Sequence, residues 1–203
     1  MGCKMLAWLI DLFCCCDDYE LTPEDLGIQG ENAVIKYSKP RFLEFQMQLN
    51  DYNFRSKDGV SRQIDHIILR RNGIFVIETK NFSGTIYGNE NNSQWTQVLG
   101  YGKEKHKFYS PVKQNETHVR KIKEILGKDA PVFSIVVFVN GNIDFLDIEN
   151  VYDLDGYRDR LLNNYDYYLD DDEIIEYYDI LVEHEEDIDK EDHIRDVNKF
   201  KKR

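Results

Sequence analysis

Hydrophobic and polar positions alternate most regularly in the middle of the chain, over residues 63–81, QIDHIILRRNGIFVIETKN. Alternating and β-branched apolar residues predict a strand on each side of Asn72-Gly73, a dipeptide typical of two-residue hairpin turns. We therefore expect a β-hairpin in this segment. Unlike an ordinary core hairpin, it carries charged residues within its strands.

The expected register of this hairpin places the charged residues together. With Asn72-Gly73 as the turn, Leu69 lies opposite Val76, and Asp65 lies opposite Lys80. Residues that are directly paired, or two apart on one strand, share a face of the sheet. Asp65, Glu78 and Lys80 should therefore project from one face, at the open end of the hairpin.

The segments around the hairpin carry further element signals. Thr22-Pro23 is a helix start, and the helix should run to about Ser38. Alternating apolar residues over 43–49 predict the first strand. Residues 84–88, GTIYG, predict a short strand or extended segment.

The second half of the chain begins with a polar stretch, residues 89–111, which we interpret as an excursion over the hairpin's open end. Within it, Trp95 is expected to anchor the loop to the core, although a base-stacking role is the alternative. Ser110-Pro111 predicts a helix start, with the helix ending near Leu126. Residues 131–140, PVFSIVVFVN, form an apolar run suited to a buried central strand.

Charge is distributed unevenly along the chain. The net charge of −12 disfavours a nucleic-acid partner, yet residues 51–128 hold 14 basic and 8 acidic residues. This portion is locally basic, which favours binding of a polyanion. The residues expected to be available for phosphate contacts are Arg70, Arg71, Lys103, Lys105, Lys107, Lys113, Arg120, Lys121 and Lys123.

The C-terminal region is acidic. Residues 144–203 hold 8 basic and 21 acidic residues. Its composition predicts a short strand near Val151 and then two or three amphipathic helices, with the acids on solvated faces.

The N-terminal run MLAWLIDLFCCC, residues 5–16, is the most apolar part of the chain. It is too short to cross a bilayer, which takes about 20 apolar residues. Two interpretations stay open: a helix that docks on a protein partner or a second copy of the chain, or a shallow membrane anchor with Trp8 at the interface. Three of the four cysteines, at positions 3, 14, 15 and 16, are adjacent, so we do not expect a disulfide framework. We therefore expect a cytoplasmic protein, membrane-associated under the second interpretation.

The charged end of the hairpin also has two interpretations. One is an Asp65–Lys80 ion pair across the strands, with Glu78 solvated at a sheet edge. The other is a divalent-metal site, because two neighbouring carboxylates repel each other unless a cation lies between them. Such oxygen ligands suit Mg²⁺ or Mn²⁺, and Lys80 could then position water or stabilise charge on a phosphate.

Five ordered segments connect this pattern to a known family. Asp65 followed by Glu78-x-Lys80 at the end of an apolar strand resembles the PD-(D/E)XK nuclease motif. The segments GENAV, QIDHIIL, GIFVIETKNFSGTIYG, WTQVL and KFYSPVKQN together resemble the nuclease-related domain (NERD) family. The resemblance runs from about residue 27 to residue 140.

The resemblance implies a set of site residues. It assigns metal binding to Asp65 and Glu78 and a catalytic role to Lys80. It adds Glu31 from the first helix as a further acid and Gln114 from the later helix as an orienting residue, and it suggests the backbone carbonyl of Thr79 as a metal ligand. It thus implies a Mg²⁺- or Mn²⁺-dependent nuclease acting on DNA in preference to RNA, in DNA processing or defence. A non-catalytic nucleic-acid-binding or assembly module with the same fold is the alternative.

The expected architecture is α/β, with a restriction-endonuclease-like core of helix, mixed sheet with a central hairpin, helix and strand. We divide the chain into an apolar N-terminal segment (1–21), a nuclease-like domain (22–152) and an acidic helical C-terminal extension (153–203).

Overall fold

Two antiparallel strands form the centre of the molecule, β2 (Ser61–Arg70) and β3 (Gly73–Lys80). The computed structural model describes residues 22–40, 44–162 and 166–188. The predicted N-terminal docking helix or membrane anchor lies outside these residues. Within them, none of the helices has the length and apolar character needed to cross a membrane.

The central hairpin belongs to a five-stranded mixed sheet with β1 (Gln46–Arg55), β7 (Val132–Phe138) and β8 (Val151–Tyr152), in the order β1-β2-β3-β7-β8. β1 pairs antiparallel with β2, whereas β7 is parallel to both β3 and β8. The predicted strands over residues 131–140 and near Val151 are confirmed. The first predicted strand is also present, but it runs over Gln46–Arg55 rather than residues 43–49.

Helices cover both faces of this sheet. The hairpin residues Ile67, Leu69, Ile74 and Val76 pack in one core with residues of α2 (Pro111–Leu126) and α4 (Asp171–His184). Ile68, Phe75 and Ile77 pack in a second core with residues of α1 (Pro23–Tyr37) and α3 (Leu154–Leu162). The chain therefore has the predicted α/β architecture, compatible with a restriction-endonuclease-like core.

The predicted turn at Asn72-Gly73 is wrong by one position. Arg70 pairs with Gly73, so Arg71 and Asn72 form the turn, and Leu69 lies opposite Ile74 rather than Val76. In the observed register Gly73 has φ +129° and lies against Phe133, whose ring would be 2.5 Å from an added Cβ, so tertiary packing requires glycine at this position. The partner strand shifts by two residues, which preserves the alternation of faces. Asp65, Glu78 and Lys80 therefore still share a face.

The polar stretch after the hairpin is more ordered than its composition predicts. Besides the expected short strand β4 (Thr85–Tyr87), it forms β5 (Gln94–Leu99) and β6 (Glu104–Tyr109). These three strands make an antiparallel sheet in the order β4-β5-β6. The interpretation of residues 89–111 as a loop missed β5 and β6, because this sheet is largely exposed and needs few apolar residues.

The prediction that Trp95 anchors this region to the core is confirmed. Its ring is fully buried and stacks on Phe138, with centroids 6.3 Å apart. Its indole Nε1 donates a hydrogen bond to the carbonyl oxygen of Asn89 at 3.1 Å. The small sheet is thus held against the end of the central sheet.

The acidic helices contribute to both cores. Tyr157 and Leu161 of α3 and Ile174 and Leu181 of α4 are fully buried. Residues 144–188 hold 17 acidic and two basic residues. Most of these acidic side chains are exposed to solvent. Two of the predicted C-terminal helices are present, and residues 189–203 lie outside the described residues.

Candidate nuclease active site

A cavity of about 730 Å³ opens where β2 and β3 diverge, between the middle of α1 and the first half of α2. It brings together every residue assigned to the site from the sequence. Its lining includes Glu31, Asp65, Glu78, Thr79, Lys80 and Gln114. The position of this cavity follows from the shared face of the hairpin residues.

Helix α1 brings Glu31 to the cavity through an unusually close approach to β3. The helix starts with a capping box, in which Thr22 and Asp25 bond reciprocally. One residue before Glu31, Gly30 is buried where an added Cβ would lie 2.8 Å from the Cβ of Asn81. Asn81 also donates from Nδ2 to the carbonyl oxygen of Leu26 at 2.6 Å. The absence of a side chain at Gly30 and the Asn81 bond together fix α1 against the end of β3.

The charged groups of the hairpin are arranged differently from the expected ion pair. Lys80 Nζ lies 2.5 Å from Glu78 Oε1, and Glu78 is only 1% exposed rather than solvated at an edge. Asp65 Oδ2 instead accepts a hydrogen bond from the backbone N–H of Thr79 at 2.7 Å. The structure therefore contradicts the Asp65–Lys80 ion-pair interpretation.

Burial and mutual repulsion perturb these groups. Burial, followed by the Glu78 carboxylate, raises the pKa of Asp65 well above its usual range, although Lys80 opposes this. Burial, followed by Asp51 and Glu78, raises the pKa of Glu31. For Lys80, burial disfavours the ammonium, but Glu78 and Asp65 outweigh it and the pKa is raised. The site thus holds a charged lysine among carboxyl groups that repel one another.

Helix α2 carries Gln114 into the cavity. The helix begins at the predicted position, with the Ser110 hydroxyl accepting from the backbone N–H of Lys113 at 3.3 Å. Gln114 Oε1 lies 3.5 Å from Lys80 Nζ, at the outer limit of a hydrogen bond. The side chain is therefore placed to orient the ammonium.

Two residues of α2 that sequence reasoning did not assign also shape the site. Asn115 is fully buried, and its Nδ2 donates to the carbonyl oxygens of Val76 and Ile135 at 2.8 and 3.0 Å. His118 lines the cavity, is nearly fully buried, and has Nδ1 3.7 Å from Glu78 Oε2. A signal was present, because both polar residues fall on the helix stripe that includes Ile122.

The oxygen atoms that line the cavity are of the kind that a hard cation prefers, although they are few. Glu78 Oε2 is buried without a hydrogen-bond partner, so the surrounding protein leaves one carboxylate oxygen unsatisfied. Carboxylates and a backbone carbonyl are the oxygen ligands that Mg²⁺ and Mn²⁺ favour. Across the described part of the chain, no group of three or more His, Cys, Asp or Glu side chains is arranged to hold a metal ion. A bound Mg²⁺ would keep several water ligands in such a site.

Two of the arginines expected to contact phosphates have other roles. Arg70 is almost fully buried and forms an ion pair with Glu44. Arg71 forms a bidentate pair with Asp171 of α4, at 2.8 and 2.7 Å. Both lie at the turn end of the hairpin, away from the cavity. The assignment of Arg70 is therefore wrong, because its guanidinium is buried, whereas Arg71 is exposed and paired with Asp171.

Comparison with known proteins identifies the family of the chain. The profile of the nuclease-related domain family matches residues 26–139, more than half of the chain, and the chain belongs to this family. It is also 33% identical over 116 residues to an uncharacterised protein of Bacillus anthracis. The match covers 57% of this chain, which spans about half (54%) of that relative's length. No solved structure matches the chain.

Proposed function

We propose that this protein is a Mg²⁺- or Mn²⁺-dependent nuclease that hydrolyses phosphodiester bonds, with DNA as the expected substrate. The observation that carries the proposal is the placement of Lys80 beside two carboxylates. Its ammonium lies within 2.5 Å of Glu78 and shares the cavity with Asp65, Glu31 and Gln114. This combination of groups matches the needs of phosphodiester hydrolysis.

Each residue has a role in this proposal. Asp65 and Glu78 would hold the cation, with Glu31 and the Thr79 carbonyl as supplementary oxygens. A cation bound there supplies Lewis acidity and lowers the pKa of water. Lys80 orients the attacking water and stabilises the charge that develops on the scissile phosphate. Gln114 restrains the Lys80 ammonium through its carbonyl oxygen.

The cavity geometry favours a catalytic role over a purely structural one. Burying an ammonium and several carboxyl groups together costs more than an apolar filling of the same space. Glu78 Oε2 and His118 Nδ1, 3.7 Å apart, are both buried without hydrogen-bond partners. Such unsatisfied groups are typical of sites that are completed by a ligand.

One observation favours a second candidate, a non-catalytic nucleic-acid-binding module. Lys80 already neutralises Glu78, and the described residues include no cluster of three or more metal-binding side chains. In that case the same fold would bind a strand without cleaving it.

A cleavage assay separates the two candidates. Labelled single-stranded and duplex DNA and RNA are incubated with the full chain and Mg²⁺ or Mn²⁺, with and without a chelator. We expect metal-dependent cleavage that is lost in Glu78→Ala and nearly lost in Asp65→Asn, since an amide oxygen is a weaker, neutral ligand. Cleavage that resists the chelator, or full activity in Glu78→Ala, would contradict the proposal.

A further inference from the structure

The three-stranded sheet β4-β5-β6 has one face that does not pack on the core. The register places Thr85, Val98 and Lys105 in one row across the sheet and Tyr87, Thr96 and Lys107 in the next. Tyr109 follows Lys107 two residues further along β6. We refer to this side as the outer face; it includes Tyr87, Thr96, Val98, Lys105, Lys107 and Tyr109.

The two faces of the small sheet differ in chemistry. Ile86 and Trp95, on the opposite face, are fully buried in a core with Val136 and Phe138. On the outer face, Lys105, Lys107 and Tyr109 are exposed. Within these three strands, all of which are described, no acidic residue lies on the outer face. The outer face is thus a positively charged surface on a chain whose net charge is −12.

Exposed aromatic rings accompany these lysines. Tyr109 is 52% exposed and also lines the cavity that contains Lys80. Tyr87 is 44% exposed and stacks on the exposed ring of Phe145, with centroids 5.4 Å apart and planes 22° from parallel. Neither ring is needed to fill the core. Lysines interleaved with exposed aromatic rings are the features that bind single-stranded nucleic acid.

The outer face is continuous with the candidate active site. Tyr109 is the last residue of β6 and directly precedes Ser110, the N-cap of α2. Along β6, Lys105, Lys107 and Tyr109 are spaced about 7 Å apart, since alternate residues of a strand share a face. A strand whose phosphate occupies the cavity would pass Tyr109 first and then the two lysines.

We infer that the outer face binds the single-stranded nucleic acid that flanks the scissile phosphate. Tyr109 stacks on the first base outside the cavity, while Lys105 and Lys107 contact the backbone phosphates that follow. An unpaired strand is required, because the faces of bases inside a duplex are already covered by their neighbours. This inference rests on the proposed function for the identity of the cavity, and it adds the form of the substrate.

The inference is tested by equilibrium binding of fluorescent oligonucleotides to the full chain without added metal and with a chelator. One variant is Lys105→Ala combined with Lys107→Ala. The matched control is Lys36→Ala combined with Lys39→Ala, which removes the same charge from two exposed lysines at the C-terminal end of α1. Affinity for single strands falls as salt rises, and each lost phosphate contact makes the negative slope of log affinity against log salt less steep by about 0.7. The slope of the outer-face variant should therefore be less steep by about 1.4. The control variant should keep the parent's slope.

Tyr109 provides a second, independent variant. Tyr109→Ala should weaken binding of a single strand by about 5- to 150-fold, the usual effect of losing one base-stacking ring. Tyr109→Phe should bind as the parent does, and duplex affinity should change in neither variant. Equal losses for single strand and duplex, or a slope change no larger than the control's, would overturn the inference.

Cleavage by the same preparations keeps the two proposals distinguishable. If the parent cleaves with Mg²⁺ while the outer-face variants bind as the parent does, the inference fails and the nuclease proposal stands. If no preparation cleaves while the outer-face variants lose single-strand binding, the nuclease proposal fails and the binding surface stands.

Discussion

Replacing Gly30 with alanine probes the close approach of α1 that brings Glu31 to the cavity. A helical alanine is favoured over glycine by about 1 kcal/mol. The new Cβ would lie 2.8 Å from Asn81 Cβ and 3.4 Å from Thr79 Cγ2. Neither neighbour is the end of a long flexible side chain, and such overpacking costs about 1–3 kcal/mol. Gly30→Ala should therefore lower the unfolding free energy by about 0–2 kcal/mol.

Gly27 offers a matched control in the same helix. An added Cβ there meets nothing within 4 Å, so Gly27→Ala should gain the full helix preference of about 1 kcal/mol. For a chain of this size, 1 kcal/mol corresponds to about 2–4 °C in the melting temperature. Calorimetry should then show a higher melting temperature for Gly27→Ala and none of that gain for Gly30→Ala.

The same pair of variants connects packing to activity. Displacing α1 moves Glu31 relative to Asp65 and Glu78, and misplacement of about 1 Å can cost about 100-fold in rate. We expect Gly30→Ala to lose cleavage about 10- to 100-fold and Gly27→Ala to keep the parent's rate. If the two variants gain equal stability and cleave equally, the close approach of α1 does not position the site.

Three further predictions follow from the site and the chain ends. Asp65→Asn should leave the metal-free protein at least as stable as the parent in urea denaturation. The substitution relieves repulsion with Glu78, and the amide oxygen can still accept a hydrogen bond from Thr79 N–H. A loss of unfolding free energy above about 1 kcal/mol would contradict this prediction. Asn115→Ala should lower the unfolding free energy by about 2–4 kcal/mol, since buried carbonyl oxygens lose their donor, and an unchanged urea midpoint would refute the anchoring role. Deleting residues 1–18 should leave a folded domain with altered assembly or membrane association, so an unchanged profile in both size-exclusion and vesicle-flotation experiments would count against it.

The central hairpin shows which parts of the structure local sequence determines. Alternation alone placed Asp65, Glu78 and Lys80 on one face, and the shift of the turn did not alter that result because it moved the pairing by two residues. The observed turn places Gly73 against Phe133, a contact between residues 60 positions apart. The alternation of apolar and polar residues predicts which side chains share a face of the sheet, but it carries little information about contacts between residues distant in sequence.

The errors elsewhere have similar causes. β5 and β6 were missed because a sheet that buries one face only in part is composed mainly of polar residues. Arg70 was assigned to phosphates because its partner, Glu44, is distant in sequence. Asn115 and His118 were visible as polar residues on an apolar helix stripe. Their roles became clear only once α2 was seen against β3 and β7.

The structure also alters the prediction made from the composition of the acidic C-terminal region. From composition, removing residues from about 153 onward should tighten nonspecific nucleic-acid binding by removing negative charge. In the structure this deletion also removes Tyr157, Leu161, Ile174 and Leu181 from the two cores. A truncation of this kind would change the stability of the fold as well as its charge. Substitutions that neutralise acidic residues on the solvent side of α4 are therefore the better probe of electrostatics.

The central claim is that the cavity is an active site in which Lys80 acts on the scissile phosphate. The most direct measurement is the single-turnover cleavage rate of the parent and Lys80→Ala at saturating Mn²⁺. We predict a rate at least about 100-fold lower in the variant, the usual effect of losing one transition-state charge contact, with Mn²⁺ affinity kept or tightened. Cleavage by Lys80→Ala at the parent's rate would contradict the account.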